Sequence, residues 1–120
     1  MRLAASIAIV LVGALHVYFL VLEMFLWRTP FGRRTFGTTA EFADSSAVLA
    51  ANQGLYNGFL AAGLLWALVW YGVTGGRAIL TFFLVCVVVA GLFGGLTVSW
   101  RILMVQALPA VITIALLWLS

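Results

Sequence analysis

The sequence predicts an all-α polytopic membrane protein, an antiparallel bundle of four transmembrane helices in a single domain, residues 1–120. Composition is the first observation behind this prediction. Hydrophobic residues make up 66% of the chain and charged residues 8%, and the mean hydropathy is +1.24. Soluble globular domains lie far from these values. The second observation is that the apolar residues form four runs of about 20 residues, the length that crosses the hydrocarbon core of a bilayer.

The four spans and their connections follow from these runs. The first run follows Arg2 and continues past a faint signal-peptide-like VGA at 12–14, so we expect a retained span. The Asp-Ser-Ser run at 44–46 offers N-cap residues and predicts that the second span starts near Ala47. Short connections predict that the last three spans form antiparallel hairpins. The predicted spans are about residues 3–27, 47–73, 78–98 and 102–119, with a long first loop at 28–46.

Charge predicts the orientation and excludes some partners. All six basic residues are arginines, and the net charge of +3 is spread thinly, which argues against nucleic acid as a partner. Four arginines lie on the side of the first loop and two on the opposite side. Positive residues favour the cytoplasmic side, so we expect the termini outside. The single cysteine, Cys86, lies in an apolar run and supports neither a disulfide nor a metal cluster, and no cofactor or metal is predicted.

Polar residues inside the spans form the candidate site. The string LAANQGLYNGFLAAG at 49–63 places several amides in an otherwise apolar helix. A polar group that faces lipid tails costs several kcal/mol, so we expect such groups to converge on a pocket open toward the Arg-rich side. Glu23 and His16 are the members that exchange protons near neutral pH. The candidate ligand-binding residues are Glu23, His16, Asn52, Gln53, Tyr56, Asn57, Gln106 and Arg101.

Packing is the competing interpretation of the same residues. Amides in membrane bundles commonly form hydrogen bonds between helices and fix their packing. Glu23 lies near a span end, where it suits an ion pair with Arg28 or Arg101, and His16 suits a hydrogen-bonded core position. The first loop has three interpretations: a solvated loop, an amphipathic segment on an anionic membrane surface, or a lid over the pocket. The residues leave these alternatives open.

Small residues and one proline predict the helix contacts. Gly54, Gly58 and Ala62 recur every four residues in the second span, and Gly91 and Gly95 form a GxxxG pair in the third. Small faces let helix backbones approach closely, so we expect these two faces to contact each other or the first span. Pro109 predicts a kink in the fourth span and a freed carbonyl near residue 105.

Three longer strings carry a family resemblance. They are LHVYFLVLEMFLWRTPFGRRTFG, LAANQGLYNGFLAAGLLW and AGLFGGLTVSWRILMVQALPA. Their most distinctive motifs are E-M-F-L-W-x-T-P-x-G and A-N-Q-G-x-Y-N-G. These strings resemble the bacterial family called domain of unknown function 1304 (DUF1304). The resemblance covers nearly the whole chain. It implies a small four-span protein of the bacterial cytoplasmic membrane without an assigned activity, and it supplies no catalytic residues.

Two classes of function, and a structural one, are compatible with these residues. The favoured hypothesis is a protein that binds and transports a small molecule, with proton exchange at Glu23. The alternative is a membrane enzyme that acts on a lipophilic substrate with Glu23 or His16 as general acid or base. A third is a structural or accessory subunit. The expected partners are membrane lipids, a small-molecule ligand and a second copy of the chain, because a homodimer would enlarge the cavity.

Overall fold

The computed structural model describes residues 1–120, which form five helices. Four of them are long and apolar enough to cross a membrane, and the chain is therefore a membrane protein with four transmembrane helices. The predicted fold class, all-α with four such helices, is confirmed. The helices are α1 (Arg2–Met24), α2 (Pro30–Phe36), α3 (Ala40–Gly75), α4 (Arg77–Thr97) and α5 (Trp100–Leu119).

Helix α3 begins earlier than the sequence indicated. Its first residue is Ala40, so the prediction of a start near Ala47 is wrong. Thr39 is the residue that caps it, because its hydroxyl accepts a hydrogen bond from the backbone N–H of Phe42 at 3.1 Å. Ser46, a predicted cap residue, instead donates its hydroxyl to the carbonyl of Phe42 at 2.6 Å. A serine whose hydroxyl bonds the carbonyl four residues earlier fits inside a helix. Because α3 starts at Ala40, the loop before it is shorter than predicted.

The connection from α3 to α4 depends on a glycine. Gly72 has a φ of 75° and a ψ of 178°, a conformation that breaks the regular helix and that other residues rarely adopt. Its carbonyl accepts a hydrogen bond from the backbone N–H of Gly76 at 2.9 Å. The chain therefore turns within a few residues, and α4 begins at Arg77.

The chain divides into two compact units, which are described separately. Residues 14–61 form one, called the loop unit, and residues 1–13 with 62–120 form the other, called the terminal unit. In the terminal unit the GxxxG face of α4 packs on α5. A Cβ on Gly91 would lie 2.6 Å from the backbone nitrogen of Ala107, and one on Gly95 would lie 2.9 Å from the Cβ of Leu103. The expectation that this face contacts the second or first span is therefore wrong, since α5 occupies it.

Helix α5 accommodates its proline with a wider turn. Residues Leu103–Ala107 form a π-helical turn that ends two residues before Pro109. Proline lacks an N–H, and its ring crowds the carbonyl four residues earlier, so a regular α-helix is strained at this place. This wider turn contains residue 105, and the predicted kink and freed carbonyl stay predictions. Thr113 then donates its hydroxyl to the carbonyl of Pro109 at 2.7 Å.

The opposite end of the α4–α5 pair is closed by polar contacts. The indole nitrogen of Trp118 donates to the hydroxyl of Thr81 at 3.1 Å. The guanidinium of Arg77 donates to the backbone carbonyl of Ser120 at 3.0 Å and lies 5.4 Å from the centre of the Trp118 ring. A cation over an aromatic face is favourable, so this cluster joins the start of α4 to the end of α5.

We predict that Gly91→Ala lowers the stability of the protein by about 2 kcal/mol, because the added methyl group overlaps backbone atoms that cannot rotate away. Unfolding in detergent, followed by circular dichroism, measures the change. Gly75→Ala is the matched control, since its nearest new neighbour is the Cβ of Tyr71 at 3.7 Å. Equal stability of the two variants would contradict the close α4–α5 contact.

Candidate functional site

In the loop unit, α3 buries one row of mostly small side chains. Successive members of the row are three, four or seven residues apart, which keeps them on one face of the helix. Asn57 is its polar member and is only 6% exposed, so an amide is held in an otherwise apolar row. The buried members of the row in this unit are Ala43, Ala50, Gly54, Asn57 and Ala61.

The glycines of this face bring α3 close to α1. A Cβ on Gly54 would lie 3.1 Å from the Cβ of Glu23, and one on Gly58 would lie 2.6 Å from the side chain of Leu20. The prediction that these two glycines contact the first span is confirmed. Ala62, the third residue of the predicted pattern, is exposed instead. Its neighbour Ala61 belongs to the buried row because that row follows a three-and-four spacing.

A hydrogen bond joins the two helices at this contact. The side-chain nitrogen of Asn57 donates to a carboxylate oxygen of Glu23 at 2.5 Å, across 34 residues of sequence. Glu23 is half-buried and Asn57 is buried. Interhelical hydrogen bonds of this kind contribute about 1 kcal/mol in membrane proteins. The carboxylate and one of the predicted amides are therefore brought together.

His16 lies deeper on the same face of α1. It is fully buried and contacts the ring of Phe19 edge to face, with centroids 5.3 Å apart. Seven residues, two helical turns, separate it from Glu23, a rise of roughly 10 Å. The packed surroundings of His16 favour the core-histidine interpretation, and its predicted role in ligand binding stays a prediction.

An open cleft of about 640 Å³ borders Glu23 at the end of α1. The turn after α1 and the first turns of α3 form its other walls. Among the predicted site residues, Glu23 alone lines it. The lining residues are Glu23, Met24, Phe25, Trp27, Arg28, Thr29, Asp44, Ala47, Val48 and Ala51.

The sequence interpretation missed most of this lining. The sequence suggests an ion pair for Arg28 and a helix cap for Asp44, and Trp27 is not among the candidate site residues. The early start of α3 is the reason, because it makes Asp44, Val48 and Ala51 neighbours on one helix face. The sequence does contain a signal for this early start. Thr39 is followed two residues later by the acidic Glu41, a pattern that is typical of a helix N-terminus.

Three of the predicted site residues lie on the surface of the loop unit. Asn52, Gln53 and Tyr56 are exposed, and Tyr56 contacts the ring of Phe59 edge to face at 5.7 Å. None of them lines the cleft beside Glu23, and their predicted role in ligand binding stays a prediction. One helix can turn only one row toward α1, and the row of small residues permits the closest approach.

Gln106 and Arg101 belong to the terminal unit. Gln106 lies half-buried in the π-helical turn of α5. Arg101 is exposed, and its backbone N–H donates to the hydroxyl of Ser99 at 3.3 Å. Their predicted participation in the site stays a prediction.

The cleft combines charged and aromatic side chains. Glu23 and Asp44 supply carboxylates and Arg28 supplies a guanidinium, while Trp27 supplies an aromatic wall. Trp27 is held in place, since its indole nitrogen donates to the hydroxyl of Ser46 at 3.0 Å and its ring lies 4.8 Å from that of Phe36. No group of three His, Cys, Asp or Glu side chains is arranged to hold a metal ion.

Comparison with known proteins identifies related sequences. The family model described as "Protein of unknown function (DUF1304)" matches residues 10–118, a range that contains every candidate residue. The chain is 28% identical over 116 residues to "Uncharacterized protein YpaA" of Lactococcus lactis subsp. lactis (strain IL1403), covering 95% of this chain and 96% of that protein. No solved structure matches the chain.

We predict that Glu23→Ala and Asn57→Ala are coupled by about 1 kcal/mol in a double-mutant cycle of unfolding in detergent, because each substitution removes the same hydrogen bond. The control cycle pairs Glu23→Ala with Gln53→Ala, an exposed amide on the same helix. That pair should be additive. Additivity of both cycles would show that the hydrogen bond contributes nothing to stability.

Proposed function

The chain belongs to the DUF1304 family, and we propose that this member binds a small molecule with a cationic amine in the cleft beside Glu23. The observation that carries the proposal is the position of Glu23, which lines the cleft and is also hydrogen-bonded to a buried amide. The carboxylate is thereby held in a defined orientation at the cleft wall. A group held in this way favours binding, because less conformational freedom is lost when the ligand arrives.

The charges of the cleft support a cationic ligand. With both carboxylates ionised, Glu23 and Asp44 outnumber Arg28, so the lining carries a net charge of −1, counted as two negative side chains and one positive. A cleft lined by one sign of charge raises the local concentration of ions of the other sign. The walls formed by Phe25 and Trp27 suit an apolar body, and an aromatic face also attracts a cation.

Proton exchange at Glu23 is the second part of the proposal. A carboxylate beside a hydrocarbon region is stabilised by one positive charge, which either a proton or an ammonium group supplies. Binding of the amine is then linked to release of the proton. If the exchange of proton for amine occurs in turn on both sides of a membrane, it constitutes proton-coupled transport. We extend the proposal to such transport across a bacterial cytoplasmic membrane, with the cleft facing the cytoplasm.

Packing is the competing function for the same contact. The hydrogen bond between Asn57 and Glu23 serves helix association equally well. The two functions differ in one respect, since packing requires no ligand. The enzyme alternative uses the same carboxylate as a general acid or base and differs from binding by turnover of the ligand. The proposed partners are the ligand, membrane lipids and a second copy of the chain.

We predict that benzylamine raises the midpoint of thermal unfolding of the purified protein in detergent, whereas benzyl alcohol and benzoate do not. The three compounds share an aromatic ring and differ in charge. Glu23→Gln should abolish the shift, because it removes the carboxylate and keeps a similar shape. Glu41→Gln is the control, since Glu41 is an exposed acid of α3 outside the cleft and should leave the shift intact.

Proton release is measured in the same samples by calorimetry in two buffers of different ionisation enthalpy. We expect a net release of protons when benzylamine binds to the wild-type protein, and none with Glu23→Gln. An equal response to benzyl alcohol would contradict the cationic ligand. Destabilisation by Glu23→Ala, together with no benzylamine response from the wild-type protein, would leave packing as the function.

A further inference from the structure

Helix α3 carries a second row of side chains, on the side away from the row that packs on α1. Its members are separated alternately by three and four residues, which is the repeat with which two helices pack in a coiled coil. All of them are exposed, and none lines the cleft. This row, called the outer seam, consists of Phe42, Ser45, Leu49, Asn52, Tyr56 and Phe59.

The first half of the outer seam lies beyond the end of the transmembrane helix α1. Gly54 packs against Glu23, one residue before α1 ends. Phe42 precedes Gly54 by twelve residues, which is roughly 18 Å along a helix. Phe42 and Leu49 are 54% and 75% exposed. Apolar side chains that project past the hydrocarbon core meet water, so their burial against a partner is favourable.

The second half of the outer seam enters the membrane and carries polar groups there. Asn52 lies near the level at which α1 ends, and Tyr56, which is 55% exposed, lies about one turn deeper. A polar group that faces lipid tails is unfavourable, whereas a hydrogen bond to another helix satisfies it. Lipid therefore does not suit this half of the seam, and water does not suit the first half. A second helix suits both.

The outer seam is complementary to itself, which favours a second copy of this chain as the partner. Two copies inserted in the same direction place their α3 helices parallel, and a two-fold axis between them sets each seam residue opposite its own counterpart. A carboxamide both donates and accepts, so Asn52 pairs with Asn52 of the other copy. The seam contains no charged residue, because Glu41 and Asp44 lie beside it. No like charges are therefore brought together along the axis.

We propose that the outer seam is the interface of a homodimer in which the α3 helices of two copies pack in parallel. Ser45 tolerates burial there, because its hydroxyl already donates to the carbonyl of Phe42 at 3.1 Å. The rings of Tyr56 and Phe59 contact each other edge to face, with centroids 5.7 Å apart, so less freedom is lost when they are buried. The interface leaves the cleft beside Glu23 open, and the proposal does not depend on the amine site.

The first test places a single cysteine on the seam or beside it. Cys86 is the one cysteine of the chain, so Cys86→Ser supplies a background without thiols. In this background, Ser45→Cys should give a disulfide-linked dimer when the full-length protein is oxidised in phosphatidylcholine vesicles, because counterparts on the seam come within reach of a disulfide. Asp44→Cys, at the exposed neighbour off the seam, should give little. Equal cross-linking by both variants, or by neither, would overturn the proposal.

The second test changes the pairing of Asn52. Asn52→Asp sets two carboxylates opposite each other, so the dissociation constant of the dimer in dodecyl maltoside, measured by analytical ultracentrifugation, should rise by about tenfold or more. Gln53→Glu, the same amide-to-acid change at the exposed neighbour, should raise it much less. Both side chains are exposed in the single chain, so the helix content measured by circular dichroism should stay unchanged. A monomeric wild-type protein, or equal weakening by the two variants, would contradict the proposed interface.

Discussion

The close approach of α1 and α3 in residues 14–61 is the constraint on which the candidate site depends. Lipid tails are as apolar as leucine, so burial of apolar surface does not drive helices together within a membrane. Close packing and hydrogen bonds do so instead. Gly54 and Gly58 allow the packing, and the approach places Asn57 within hydrogen-bond distance of Glu23. The same approach directs Asn52 and Gln53 to the surface, because they lie off the buried row.

The turn after α1 connects that constraint to the cleft. Trp27 is fixed by Ser46 and Phe36 and forms part of the cleft, while Gly32 lets α2 lie against the carbonyl of Leu26. The charged groups of the cleft therefore lie near the end of a transmembrane helix, where water and lipid headgroups reduce the cost of a charge. A rigid turn at this place holds charged side chains in fixed positions without burying them in hydrocarbon.

Polar side chains within the transmembrane helices are mostly satisfied locally. Thr97 and Thr113 each donate a hydroxyl to the carbonyl four residues earlier, at 2.6 and 2.7 Å. Such bonds need no second helix and carry no information about neighbours. The hydrogen bond from Asn57 to Glu23 differs, because it joins two helices. This difference separates the residues that decide how helices pair from those that are only tolerated in lipid.

By itself, the sequence determined the membrane class, the number of spans and the glycines that make close contacts, because these follow from apolar length and residue size. The tertiary structure alone decided that Asn57 faces inward while Gln53 faces outward, and that Gly91 meets α5. The physical reason is that a transmembrane helix is apolar on every side, so its periodicity does not show which side meets a partner. Which side of the helix faces inward depends on contacts with residues distant in sequence, as Glu23 is from Asn57.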